Sequence, residues 1–330
     1  MTVAGGSLGR IGKEVGTVGL GCWAIGGPFL LDGKPDGWGQ VDDAESIRAI
    51  NRAIDLGVTL FDTADVYGTG HSERVLGKAL KGRRDEVVIA TKFGFTYDES
   101  RREITGTDLS PGYVRRACFA SLSRLGTDYI DLYQLHVGVV EPGVAEDILA
   151  ALEDLVTEGL IRSYGWSTDE PAAVRQLAGR PGAAAAQFAL NVFSDAAEVI
   201  AACEESGLTG LVRSPLAMGL LTGKYDAGSR LPTDDVRSAG HSWVRYFRDG
   251  RPEPGYLERL AAVRDVLTAG GRTLTQGALG WVMARGRGLV PIPGFKSVAQ
   301  AEENAGAIAH GPLTPAQMAE IDALLHPQPV

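Results

Sequence analysis

Three polar residues stand where apolar runs end, a tyrosine follows one of them, and their types suggest one chemistry. Asp62 closes Leu60-Phe61-Asp62, and Tyr67 follows in Thr63-Ala64-Asp65-Val66-Tyr67-Gly68. Lys92 ends Val88-Ile89-Ala90-Thr91-Lys92, and His136 ends Leu132-Tyr133-Gln134-Leu135-His136. Each alone has a plain reading: a lysine that snorkels to solvent, an aspartate capping a turn, a histidine satisfied at a strand end, a packed tyrosine. Together they form a proton-delivery set. A phenol with a pKa of about 10 is a poor acid at neutral pH, but a nearby ammonium stabilises its phenolate and lowers that pKa. A carboxylate keeps the ammonium charged, and an imidazole can hold a carbonyl oxygen in line. These parts suffice to protonate a carbonyl oxygen while hydride reaches its carbon. A Schiff-base role for Lys92 would need a neutral amine, and an adjacent Asp62 favours the charged form instead.

The elements that must position these groups follow from periodicity. Strands are expected near residues 18–22, 58–62, 87–92, 129–135, 161–166, 184–189, 208–212 and 288–292. Helices are expected near 43–56, 72–81, 111–125, 144–158, 170–179, 195–206, 256–285 with a break at Gly270-Gly271, and 298–309. Asp42 can cap the first helix, and Ser110 with Pro111 opens the third. Glycines such as Gly57, Gly126, Gly159 and Gly207 stop helices just before the next apolar run. Eight strand–helix units of roughly 40 residues predict a (β/α)₈ TIM barrel, a single domain over residues 1–330 with extended loops after strands 1, 3 and 7. A doubly wound open sheet is the alternative. In a barrel, Asp62, Lys92 and His136 end successive strands on one rim.

Composition narrows the partners. The 330 residues carry 32 Lys+Arg against 41 Asp+Glu, a net charge of −9, which disfavours nucleic acid and anionic membrane surfaces. No apolar run reaches membrane-spanning length, and Met1 to Ile11 lacks a secretory signal, so a cytoplasmic protein is expected. Cys22, Cys118 and Cys203 are odd in number and widely spaced, consistent with buried thiols rather than disulfides or a zinc site. Gly19-Leu20-Gly21-Cys22-Trp23-Ala24 imitates a dinucleotide fingerprint, but Gly26-Gly27-Pro28 prevents a helix from starting where that fingerprint requires one.

These segments carry a resemblance. Asp62-Thr63-Ala64-x-x-Tyr67-Gly68, Thr91-Lys92, Leu132 to His136, and Ile292-Pro293-Gly294-Phe295-Lys296-Ser297 through Glu303-Asn304 resemble the aldo-keto reductase superfamily, from about Arg10-Ile11-Gly12 to the last helix. The resemblance implies a barrel using NADP(H), usually without metal or flavin. It implies Tyr67 as general acid, Lys92 and Asp62 tuning it, and His136 orienting the carbonyl. It places Gly294, Lys296, Ser297 and Gln300 at the 2′-phosphate, with Gln300 where many relatives have arginine, and Glu303 and Asn304 on the adenine side. Ser167, Thr168 and Gln187 would hold the nicotinamide carboxamide, Thr168 replacing the usual asparagine. Ser214, Pro215, Leu216, Gly219 and Leu221 resemble the loop over the pyrophosphate. Arg213 stands where many relatives have an aromatic ring on the nicotinamide. A fixed positive charge there would disfavour NADP⁺ relative to NADPH and bias the enzyme toward reduction.

Trp23, Phe29, Trp38, Phe93 and Trp243 are expected to line the substrate pocket, with residues 24–41, 93–109 and 213–255 shaping it. Loop arginines Arg101, Arg102, Arg245, Arg248 and Arg251 could meet an anionic substituent, though solvated loop charge accounts for them better. The expected function is NADPH-dependent reduction of an aldehyde, ketone or keto sugar, a natural-product or deoxysugar ketone included. The alternative is a non-catalytic or redox-sensing NADP(H)-binding subunit of the same fold. The expected partner is a small-molecule carbonyl substrate, with no nucleic acid, membrane or metal, and nothing in the sequence fixes an oligomeric state.

Overall fold

The computed structural model describes residues 15–326, so the Arg10-Ile11-Gly12 start of the resemblance lies outside the described residues. Eight parallel strands run β1 (Leu20–Gly21), β2 (Leu60–Asp62), β3 (Val88–Phe93), β4 (Ile130–Leu135), β5 (Ile161–Ser167), β6 (Ala183–Ala189), β7 (Thr209–Arg213) and β8 (Leu289–Pro291). Each pairs with its chain neighbour. Gly19 and Gly21 N–H groups donate to the carbonyls of Pro291 and Pro293, closing the sheet into a (β/α)₈ barrel. Helices α1 (Asp43–Asp55), α2 (His71–Ala79), α3 (Pro111–Leu125), α4 (Pro142–Thr157), α5 (Pro171–Arg175), α6 (Ala197–Ser206), α7 (Pro254–Thr268), α8 (Leu274–Arg285), α9 (Val298–His310) and α10 (Pro315–Leu325) alternate with the strands or follow them.

Local chemistry sets these boundaries. Asp42 Oδ1 accepts from the Ala44 and Glu45 N–H groups and starts α1, whose Ala49, Ile50, Ala53 and Ile54 face inward. Ser110 caps α3, Pro111 fills its first turn, and Gly126 at φ 65° ends it. The break at Gly270-Gly271 separates α7 from α8 as expected. The expected helix over 170–179 contracts to α5, and the first strand to two residues.

Strand periodicity sorts the core into two layers. Leu60, Val88, Ala90, Leu132, Ala185, Leu211, Val290 and Ile292 fill the barrel interior. Their outward neighbours, among them Phe61, Ile89, Tyr133 and Phe188, pack under the helices. Continuing the inward series by two places Asp62, Lys92, Gln134 and His136 at the top of the barrel.

The same alternation corrects one pocket assignment. Phe93 follows Lys92 and so points outward, fully buried and stacked on Tyr133 at 4.5 Å between ring centroids. Phe29 is buried in a satellite cluster with Ala64 and Val66, against which Trp23, Tyr67 and Phe95 pack. That cluster sits under a four-stranded sheet built from the loops after β1 and β3, residues 30–31, 34–35, 95–98 and 103–107. Periodicity predicts loop for this segment. The two-residue turn Asp32-Gly33, both at positive φ, carries its hairpin signal. No helix among the described residues is long and apolar enough to cross a membrane.

Barrel closure leaves no room at Gly21, where an added Cβ would lie 2.9 Å from the Ile292 carbonyl oxygen. The obstacle is backbone and cannot rotate away. Gly21→Ala is expected to cost about 1–3 kcal/mol in urea unfolding, and unchanged stability would mean that the closing bridge yields.

Candidate active site

Lys92 is the only lysine among the described residues that is fully buried, and its ammonium is completely used. Nζ donates to Asp62 Oδ2 at 2.6 Å, to the Thr63 carbonyl at 2.8 Å and to the Tyr67 hydroxyl at 3.3 Å. An ammonium has three donors, so every one has a partner. Asp62 is equally satisfied: its Oδ1 accepts from Gln187 Nε2 at 2.7 Å and Gln134 Nε2 at 3.2 Å. Held by an ammonium and two amides, this carboxyl group is placed to pair with the Lys92 ammonium and offset the cost of its burial. Lys92 is accordingly held above the ordinary lysine range, because Asp62 outweighs the penalty of burial.

The phenol departs from expectation. Lys92 lowers the Tyr67 pKa, but burial raises it more, so the hydroxyl stays above its ordinary range. Burial opposes the phenolate until something else stabilises it. His136 stands edge-on to Tyr67, with ring centroids 5.8 Å apart and planes at 81°. Burial, Lys92 and Arg213 push its pKa well below the ordinary value, leaving a neutral imidazole whose Nδ1 has no hydrogen-bond partner. The site thus presents a protonated phenol and a neutral imidazole side by side, with a cation behind the phenol. It can give a proton to an oxygen that is gaining negative charge.

Aromatic rings roof this point. Trp23 stacks over Tyr67 at 5.9 Å, meets Trp38 edge-on at 5.3 Å and contacts Trp243 at 6.0 Å. Phe95, on the loop sheet, stands against His136 at 5.3 Å. Trp23, Trp38 and Trp243 therefore form one cluster that meets the tetrad through Trp23, and Phe95 meets it at His136.

The residues expected at a dinucleotide lie along the same rim, but many of their polar groups bind within the chain. Ser167 ends β5. Beside it, Thr168 Oγ1 donates to the Gly138 carbonyl at 2.7 Å. Gln187 turns Nε2 to Asp62, because a carboxylate only accepts, and this directs its Oε1 away as an acceptor. Arg213 forms an ion pair with Asp169, so its charge is shared. Ser214 begins a turn with positive φ, also at Ala217, Met218 and Gly219, and Asn191 Nδ2 holds its carbonyl at 3.1 Å. Pro215 lies in this turn. The side chains of Leu216 and Leu221 pack in the core, so only their backbone can face a ligand. Lys296 Nζ donates to the Trp38 and Gln40 carbonyls, both at 2.8 Å. Gln300 Oε1 accepts from the Lys296 N–H at 2.7 Å, and Ser297 caps α9. The Glu303 carbonyl accepts from Gln276, and buried Asn304 donates to the Gly294 carbonyl at 3.2 Å.

These residues fit a phosphorylated dinucleotide in kind. A helix N-terminus with a lysine and a serine can hold a phosphate, the turn after β7 offers backbone to a pyrophosphate, and His136 Nδ1 is a buried polar atom without a partner. No group of three potential metal-binding side chains occurs among the described residues.

The sequence reading missed Gln134, whose signal was its place in the inward series 132, 134, 136. It also missed a buried acid cluster behind Lys92. Glu73 accepts from Thr91 Oγ1 and Arg124 Nε, both at 2.6 Å, while Asp65 has an unpartnered Oδ1 and a carboxyl pushed well above its usual range by burial.

The chain matches the Aldo/keto reductase family over residues 17–326. It is 33% identical over 307 residues to the NADP(+) aldo-keto reductase yakc of Schizosaccharomyces pombe, covering 91% of this chain and 86% of that protein. It is 35% identical over 318 residues to the chloroplastic pyridoxal reductase of Arabidopsis thaliana, covering 89% and 79%. Among solved structures, glycerol dehydrogenase from Gluconobacter oxydans superposes with a TM-score of 0.81 at 28% identity, covering 100% of this chain and 98% of that one. The holo form of an aldo-keto reductase from Bacillus halodurans gives 0.74 at 29%, covering 94% and 93%.

The Arg213–Asp169 pair gives a test of whether the Arg213 charge acts on the dinucleotide ring, as the resemblance implies. Asp169→Asn bares the guanidinium and should weaken NADP⁺ relative to NADPH, and Arg213→Phe should do the reverse. Each shift should stay within about fivefold, the worth of a partly exposed ion pair. Equal dissociation-constant ratios in all three proteins would mean that Arg213 does not sense the ring.

Proposed function

The chain belongs to the aldo/keto reductase family, and on that premise we propose that it reduces an aldehyde, ketone or keto group on a flat ring-bearing substrate, with Tyr67 as the proton donor. It is an NADP(H)-dependent oxidoreductase acting on carbonyl groups. The observation that carries the reading is the buried chain Asp62–Lys92–Tyr67, with Nζ at 2.6 Å from the carboxylate and 3.3 Å from the phenol.

Each residue has a role that follows from its surroundings. Burial keeps Tyr67 protonated through neutral pH, so it is a donor when substrate arrives. As the carbonyl oxygen gains charge, the proton moves from Tyr67 Oη to it, and the phenolate left behind faces Lys92. Asp62, gripped by Gln134 and Gln187, keeps that lysine charged without competing for the proton. Neutral His136 donates one N–H to the same carbonyl oxygen and fixes its position. The bound dinucleotide supplies the hydride. Trp23, Trp38 and Trp243 exclude water from the site and present apolar faces, which suits a planar heteroaromatic aldehyde or a sugar ring. The pyridoxal reductase among the relatives favours the first of these.

Tyr67→Phe is expected to lower kcat about 10²–10⁴-fold with NADPH affinity unchanged, measured by loss of NADPH absorbance over a panel of aldehydes, α-diketones and keto sugars. Full activity in that variant would refute the assigned acid. Because the His136 pKa is depressed, the neutral imidazole persists below the ordinary titration range. The kcat/KM profile should therefore show no acid limb at about pH 6.5, and a limb there that vanishes in His136→Asn would contradict the neutral role.

A further inference from the structure

The N-terminus of α9 is where the 2′-phosphate is expected, and the chain has already placed an anion there. Glu45, in the first turn of α1, reaches across to α9, and its Oε1 accepts from the Val298 N–H at 2.8 Å. Its Oε2 accepts from Arg48 Nη2 at 2.7 Å. Val298 is the first residue of α9 and follows Lys296 and Ser297 directly. Its N–H is one of the orphan donors that make a helix N-terminus attractive to phosphate.

Further donors of this corner are engaged as well. The Gln300 N–H goes to Ser297 Oγ, and the Lys296 N–H to Gln300 Oε1. Lys296 Nζ turns to the Trp38 and Gln40 carbonyls and leaves the Glu45 carboxylate to Arg48. Glu45 is ionised: the Val298 N–H and Arg48 hold its carboxyl below the ordinary range, and nearby Asp42 opposes them only weakly.

We propose that Glu45 is a specificity-determining residue that lowers the preference for NADP(H) over NAD(H) by competing with the 2′-phosphate for the Val298 amide. A 2′-phosphate approaching α9 meets a carboxylate of like charge at the donor it would use. It must displace Glu45 or bind without that amide. The free 2′-hydroxyl of NAD(H) is a donor, and a carboxylate accepts from it, as acidic residues do at the ribose of NAD-binding proteins. One side chain thus penalises one dinucleotide and welcomes the other. The inference rests on the site being the dinucleotide site proposed above.

Equilibrium binding without substrate separates the possibilities. NADP⁺ and NAD⁺ are titrated calorimetrically into wild type, Glu45→Gln and Glu45→Ala. Glu45→Gln keeps the side-chain length and removes the charge, and the Asp42 cap of α1 remains. The expected result is tighter NADP⁺ binding in both variants, NAD⁺ unchanged or weaker, and a Kd ratio moved about tenfold or more toward NADP⁺. A ratio unchanged in both variants would overturn the inference, since Glu45 would then swing aside at no cost. Failure of wild type to bind either dinucleotide would overturn the assignment of the site, and this inference with it.

Discussion

A lysine with no exposed surface at the top of a barrel is the constraint from which the rest of the site follows. An unpaired ammonium there would lose its proton or unfold its surroundings, because burying an isolated charge costs far more than a domain's net stability. Lys92 escapes this by using every donor at once, on Asp62, on the Thr63 carbonyl and on Tyr67. Each of those partners must then be fixed as well. Asp62 needs the two glutamine amides, and the Thr63 carbonyl needs the turn that carries Tyr67 onward. The catalytic geometry is therefore the condition under which the lysine can be buried at all.

The barrel supplies that fixity through strand register. β2, β3, β4 and β6 are the sources of Asp62, Lys92, Gln134 and Gln187, and the parallel ladders lock their heights relative to one another. A slip of one residue would turn each inward group outward. The acid cluster of Glu73, Arg124 and Thr91 braces β3 from behind, joining it to α2 and α3.

Period-two alternation and helix stops made the barrel legible, and polar residues ending apolar runs made the tetrad legible. What escaped the sequence depends on contacts between distant segments. Phe93 is an aromatic that the sequence groups with the loops of the mouth, yet being next to an inward residue is what turns it outward. Lys296, Gln187 and Thr168 were read by type as ligand donors. Only the fold reveals that their polar groups already bind Trp38, Asp62 and Gly138. The phenol pKa was read from its cationic neighbour alone, whereas the depth of burial that reverses its direction is a property of the assembled roof.

Chemistry and recognition are thus held by different kinds of structure. The tetrad hangs on hydrogen-bonded strands, while the roof hangs on two loops fastened to each other. The Val236 N–H donates to the Gly37 carbonyl at 2.8 Å, and Arg237, held by Asp235, lies over Trp38 at 4.6 Å. His241 reaches the Pro35 carbonyl at 2.9 Å and stacks on Trp243, the most exposed ring of the mouth. Beside it Asp36 is buried with its pKa pushed up to about 7. Loop contacts of this kind open at lower free energy than barrel ladders do. The roof is therefore fastened independently of Lys92, whose three partners all lie on β2 and the turn that follows it.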